Sequence, residues 1–142
     1  MLMRWPVASL VALLVSLMGC SDALGPLPDS LRLRTSESVY QPGDIVEIST
    51  VNNSPRRIAF QSCGELEALD SDLREWDVVW GWTCAGPAWP VESGGERVHE
   101  YLLPDHLPPG TYRVSFIFSV EDDPSRELVI QVTNAFEVLR AP

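Results

Sequence analysis

From Leu31 onward, hydrophobic and polar residues alternate with a period of two, the repeat of extended strands whose successive side chains point to opposite faces. Leu31 and Leu33 alternate with Arg32 and Arg34, Val46 and Ile48 flank Glu47, and Ile58 and Phe60 flank Ala59. The clearest run is Thr111 to Ser119, with Tyr112, Val114, Phe116 and Phe118 on one face and Thr111, Arg113 and Ser115 on the other. A last run, Leu128 to Leu139, is long enough for one strand with an irregularity near Thr133-Asn134. Only the short segment GELEALDSDL offers a helical pattern. Between the runs lie the turn sequences QPGD, NNSP, ESGGE, LPPG and EDDPS, rich in residues that favour turns. Strands are expected near 30–36, 44–51, 56–62, 75–82, 96–102, 111–119 and 127–138. Short strands at such spacing predict an all-β fold, an antiparallel β-sandwich of about seven to eight strands over residues 31–142.

The first thirty residues follow another rule. Arg4 precedes fourteen uncharged, mostly apolar residues, Trp5 to Met18, the layout of an export signal. A membrane-spanning helix needs about 20 apolar residues, so this run is short for a span. The sequence Leu17-Met18-Gly19-Cys20 resembles the bacterial lipoprotein lipobox at Leu17, Gly19 and Cys20, with Met18 in place of the usual small residue. The resemblance implies a signal peptide over 1–19, a diacylglyceryl group on the Cys20 thiol, and an acyl chain such as palmitate on the new amine. Each buried methylene contributes ~0.8 kcal/mol, and two or more chains hold a protein stably on a membrane. Ser21, where an Asp would resemble an inner-membrane retention signal, favours the outer membrane in a diderm cell. Residues 20–30 carry two Pro and one Gly without periodicity and form a tether, with an end-to-end distance of about 17 Å if it is a flexible coil.

Without residues 1–19 the chain has nine Arg, no Lys and twenty Asp and Glu, a net charge of −11. Such a chain repels phosphate backbones, and no basic stripe is present, so nucleic acid is not an expected partner. With Cys20 assigned to lipid, Cys63 and Cys84 remain, in a compartment that permits disulfides. Neither His99 nor His106 lies at a metal-ligand spacing to a cysteine, and the expectation is a Cys63–Cys84 bridge contributing ~3 kcal/mol in the chain-entropy model.

The segments VYQPGDIVEISTVNNSPRRIAFQSCG, LPDHLPPGTYRVSFIF and NAFEVL together resemble bacterial immunoglobulin-like domains of exported proteins, over most of residues 31–139. Tyr40, Gly43, Asn52 and Asn53 fit that family's turn into a strand with an Asn-rich end, and Leu107 to Val114 fit its turn into the penultimate strand. The resemblance implies that Tyr112 returns its hydroxyl to backbone as a tyrosine corner. It implies no catalytic residues. Cys63 and Cys84 are too close in sequence for the bridge of antibody domains, so a local bridge from one strand end to the next is expected. A looser resemblance is to the bacterial intracellular proteinase inhibitors, through the Asn-x-Ser strand end, the central tryptophans and the Pro-Gly-x-Tyr turn. The export signal conflicts with that family's cytoplasmic location, leaving only its fold as an implication.

The densest aromatic segment is REWDVVWGWTCAGPAW. If residues 76–82 are extended, Trp76, Val78, Trp80 and Trp82 share one face. That face serves either as core, packed on the disulfide, or as an exposed platform for a sugar ring or a protein partner. Trp89, beyond Cys84 in a Gly- and Pro-rich stretch, is expected to be the most exposed of the group. The acidic runs EDDPS and GELEALDSDLRE match no calcium loop and are expected to be solvated, without metal. His99 and His106 lack a marked nucleophile segment nearby. No cofactor is expected. The expectation is therefore a lipid-anchored, non-catalytic Ig-like domain of the cell envelope that binds or scaffolds an envelope protein. The alternatives are a glycan-binding module using its tryptophans, and a protease-inhibitor-like sandwich presenting a loop such as 85–95.

Overall fold

A computed structural model of the chain describes residues 30–61, 63–84, 86–121 and 128–140. The signal segment, Cys20 and nearly all of the tether lie outside these residues, as does most of the EDDPS turn. Among the described residues no helix is long and apolar enough to cross a membrane.

Eleven strand segments follow in chain order: β1 (Leu31–Thr35), β2 (Val39–Tyr40), β3 (Ile45–Asn52), β4 (Ile58–Phe60), β5 (Glu65–Asp70), β6 (Glu75–Gly81), β7 (Trp89–Val91), β8 (Glu96–Leu102), β9 (Gly110–Val120), β10 (Leu128–Val132) and β11 (Phe136–Val138). One layer is the three-stranded sheet β1-β3-β8. The other is built on β9, which pairs β10 and β11 along one edge and β4 and β5 along the other. Strands β7 and β6 extend that second edge by pairing β4 and β5 respectively. Strand β2 leaves the first layer to pair β11 in parallel; the pairs β1–β3, β3–β8 and those made by β9 are antiparallel.

The eleven segments occupy seven strand paths, because β1/β2, β4/β5, β6/β7 and β10/β11 are each one interrupted path. The fold is the expected all-β Ig-like sandwich, and the irregularity expected near Thr133-Asn134 separates β10 from β11. The GELEALDSDL segment forms no helix: it is β5 and the start of a turn. Leu66 is fully buried there, held between Val114 on β9 and Trp80 on β6, and tertiary pairing overrides its local helical preference. At the turn, Asp70 Oδ1 accepts the backbone N–H of Asp72 and Leu73.

The core lies between the layers. Tyr112, Val114, Phe116, Phe118 and Val120 of β9 all point inward and are buried. Phe60 packs 5.4 Å from Phe118 and 5.9 Å from Phe116, the latter edge-on. The Tyr112 hydroxyl donates to the Pro108 carbonyl at 2.7 Å, the tyrosine corner expected from the LPPGTY turn, and burial pushes its pKa up. In the QPGD turn Gly43 takes φ +84°, the left-handed conformation that suits glycine at the third turn position after Pro42.

The interruption between β4 and β5 comes at Gly64. A Cβ there would lie 2.7 Å from Phe116 Cε1, so the backbone passes closer to the core than any side chain permits. Beside it, across the hairpin, lies the interruption between β6 and β7, and the Cys63–Cys84 disulfide joins the two. The bridge is local, as the spacing implied. At the third interruption, Thr133 Oγ1 accepts the N–H of Val114 while the Thr133 N–H donates to the Val114 carbonyl. Asn134 then bonds the backbone N–H and the hydroxyl of Thr35 through its side chain, tying this path to β1.

Asn52 closes β3 with a fully buried side chain. Its Nδ2 lies within hydrogen-bond distance of the carbonyls of Arg56, Val91 and Glu92, at 2.7, 3.0 and 3.1 Å, and its Oδ1 accepts from the N–H and the hydroxyl of Ser54. One side chain thus ties the β3–β4 turn to the end of β7. That turn and the approach to β1 at Ser30, whose carbonyl accepts the Asn53 N–H, mark one pole of the sandwich. The β5–β6 turn lies at the other, beside the Gly110 end of β9.

Asn52→Ala should lower unfolding stability by about 1–3 kcal/mol, because the Ser54 donors and the freed carbonyls lose a buried partner; denaturant unfolding measures it. Cys63→Ser with Cys84→Ser should cost about 3 kcal/mol and speed amide exchange first in β6 and β7. An unchanged denaturation midpoint would contradict the second expectation.

Candidate functional site

The described tryptophans sit on β6, β7 and the connection between them, and a β-bulge decides where those of β6 point. Glu67 of β5 pairs Val78, but Leu66 pairs Trp80, leaving Val79 as the extra residue. Such an insertion reverses the in–out alternation beyond it. Trp76 and Val78 therefore share the outer face with Glu67 and Leu69, whereas Trp80 falls on the inner face with Leu66. The expected common face for Trp76, Val78, Trp80 and Trp82 does not form. The consecutive β-branched pair Val78-Val79 marks where the alternation breaks, but only the pairing with β5 shows that it becomes a bulge.

Trp76 is half-buried on the outer face. The Arg113 guanidinium lies 4.2 Å over its ring and is held there by an ion pair to Glu67 at 2.5 Å. Glu67 and Arg113 are directly paired neighbours on β5 and β9, so one cross-strand ion pair positions the cation that covers Trp76.

Trp82 and Trp89 close the sandwich where the β8 edge of one layer faces the β6/β7 edge of the other. Trp82 packs 5.0 Å from Tyr101, and its Nε1 donates to the Leu102 carbonyl at 3.0 Å, a bond between the layers. Trp89 pairs with Phe60 across β7 and β4 and meets the His99 ring at 5.7 Å. Arg97 stacks 4.2 Å over Trp89 and donates to the Pro90 carbonyl at 3.3 Å. Trp89 is thus a half-buried strand residue, not the exposed loop residue expected, because pairing with β4 draws the chain after Pro87 into the sheet. Burial pushes the Tyr101 hydroxyl up to about 12.

His99 fills the centre of this aromatic seam, edge-on to Phe60 at 4.8 Å, with Nε2 buried and without a hydrogen-bond partner among the described residues. Desolvation, and then the nearby Arg97 charge, hold its pKa below the ordinary value. Both effects favour the neutral ring. His106 is exposed in the β8–β9 connection, 6.0 Å from the Trp80 ring.

The exposed part of the region is the middle of β6. Val78 is 56% exposed, Val79 48% and Trp80 41%, so Trp80, not Trp89, is the most solvent-open of the described tryptophans. Strand β6 pairs only β5; its other edge has no backbone partner among the described residues. The surrounding β5–β6 hairpin carries Glu65, Glu67, Asp70, Asp72, Glu75 and Asp77 against Arg74. No three His, Cys, Asp or Glu side chains among the described residues are grouped to hold a metal.

The chain matches no protein-family model and no curated protein. Among solved structures it is similar to an X-ray structure solved as Northeast Structural Genomics Consortium target SoR45, at 16% identity and a TM-score of 0.52, covering 82% of this chain and 91% of that one. A further similar structure is the ASH/PapD-like domain 7 of human CEP192, at 14% identity and a TM-score of 0.43, covering 98% and 99%. At such identity, the likeness to the first concerns the fold alone.

The His99 environment generates a pH dependence of stability. In the unfolded chain this histidine takes up a proton near its ordinary pKa of about 6.5, whereas in the fold it does so only at lower pH. The unfolded state therefore binds more protons in that window, so stability is full above about pH 6.5 and falls as pH drops through it towards the folded value. Comparing thermal midpoints at about pH 7.5 and about pH 5.5, the wild-type drop should exceed that of His99→Phe; equal drops would place the acid sensitivity elsewhere.

Proposed function

We propose that this protein is a lipid-anchored, non-catalytic Ig-like domain of the bacterial cell envelope, on the outer membrane in a diderm cell, that binds or scaffolds another envelope protein. The observation that carries the reading is the exposed Val78-Val79-Trp80 run on an unpaired strand edge, in a domain whose other tryptophans are engaged in packing. Exposed contiguous apolar surface on a soluble domain marks interaction sites, and tryptophan is a favoured anchor in protein interfaces.

Polarity along the sandwich supports the same reading. The chain enters at the Ser30 pole, ten residues after Cys20, and the β5–β6 hairpin turns at the opposite pole. An anchor at Cys20 would hold the first pole near the lipid and direct the hairpin away from it. The glycan alternative draws less support, because the bulge and the packing of Trp76, Trp82 and Trp89 leave Trp80 as the ring available for stacking. The inhibitor alternative relied on a free loop over 85–95, where residues 89–91 are strand β7.

Mass spectrometry of the protein purified from membranes should find a chain that begins at an acylated Cys20 and gains two hydrogens on reduction. Crosslinking in intact cells should join it to a specific envelope protein. An unlipidated chain with its signal intact, or crosslinking that recovers no reproducible partner, would reject the reading.

A further inference from the structure

We infer that β6 is a docking edge for an extended, basic and apolar segment of the partner protein, which joins the β9-centred sheet as an added strand. The inference rests on the anchored-binding reading above and names the surface and the partner's chemistry.

An unpaired edge offers a row of backbone donors and acceptors to any extended chain, and proteins ordinarily blunt such edges with bulges, charge or covering elements. In β6 the bulge comes at Val79, so Glu75 to Val78 form a regular run open to pairing. Val78 stands on the outer face of that run and Trp80 on the inner side just beyond it, both exposed. An added strand would thus meet an apolar contact on each face, as strand addition requires when backbone bonds supply affinity and alternate side chains supply specificity.

Charge selects the partner. Glu75 and Asp77 lie on the docking run itself, within a hairpin carrying six carboxylates and one Arg, and Arg113 of β9, which reaches the outer face of the hairpin, is occupied by Glu67 and Trp76. A second copy of this chain is the wrong occupant. Antiparallel pairing of two β6 edges would bring the two sets of Glu75 and Asp77 together, and like charges facing across strands destabilise the pair. Lys or Arg alternating with apolar residues would instead meet both the carboxylates and the Val78 and Trp80 side chains.

The test uses the full chain purified from membranes in detergent micelles and two octapeptides, one alternating Val with Lys and one alternating Val with Glu. The Lys peptide should shift tryptophan fluorescence and slow amide exchange in residues 75–81, and the Glu peptide should do neither. Trp80→Ala and Val79→Lys should each weaken the Lys peptide by about tenfold, and Val79→Lys, at the bulge, should do so while leaving the unfolding midpoint in place. Equal binding of the two peptides, binding insensitive to both substitutions, or protection confined to β8 or β10 would overturn the inference. So would a dimer in sedimentation that Val79→Lys dissolves, because a second copy would then hold the edge. A photo-crosslinker placed at position 79 and, separately, at position 130 on the far edge strand distinguishes the two levels in cells. Partner adducts from position 130 alone would remove the docking edge and leave the anchored-binding reading intact; adducts from neither position would remove both.

Discussion

Backbone pairing along both edges of β9 is the constraint on which the rest of the structure depends. It is the longest strand and runs without interruption from Gly110 to Val120, while the paths on either side of it are both broken. A slip of one residue would turn Tyr112, Val114, Phe116 and Phe118 out of the core together. The tyrosine corner at Pro108 sets where β9 begins, and Thr133 returns two hydrogen bonds to Val114 at its midpoint. Register is therefore pinned at two points by groups other than the regular ladder.

Each break in the neighbouring paths has its own fastening. Gly64 lets the β4/β5 path bend over Phe116, the disulfide ties that bend to the matching one between β6 and β7, and the Asn134 side chain binds the β10/β11 break to β1. Asn52 acts in the same way at the pole where the chain enters, replacing ladder bonds with five side-chain contacts. In a sandwich of short segments these fastenings supply continuity that long strands would supply through the ladder.

The aromatic region divides into a packed part and an open part by the same logic. Trp82, Trp89, His99 and Tyr101 seal the gap between the layers, where burial is enforced from both sheets, and the neutral His99 is a consequence of that sealing. Trp76 lies on the opposite face under Arg113. Strand β6, reaching past the seam as an edge, keeps Val78, Val79 and Trp80 in solvent. A site for a partner arises here because a hairpin long enough to complete the sheet ends with one strand that nothing in the described chain covers.

Period-two patterning, turn chemistry and cysteine count act over a few residues or by simple arithmetic, and they were enough to place a segment of each strand path, the inward set on β9, the Cys63–Cys84 bridge and the break at Thr133-Asn134; the tyrosine corner followed from the family resemblance. The segment Glu65 to Asp70 read as a short helix candidate because its local pattern permits one; only its place between β9 and β6 makes it a strand. The faces of Trp76, Trp80 and Trp82, and the burial of Trp89, were likewise decided by tertiary structure alone. A single bulge residue, Val79, inverts the alternation, and whether the bulge forms depends on how β5 is held against β9, a contact between residues more than forty positions apart.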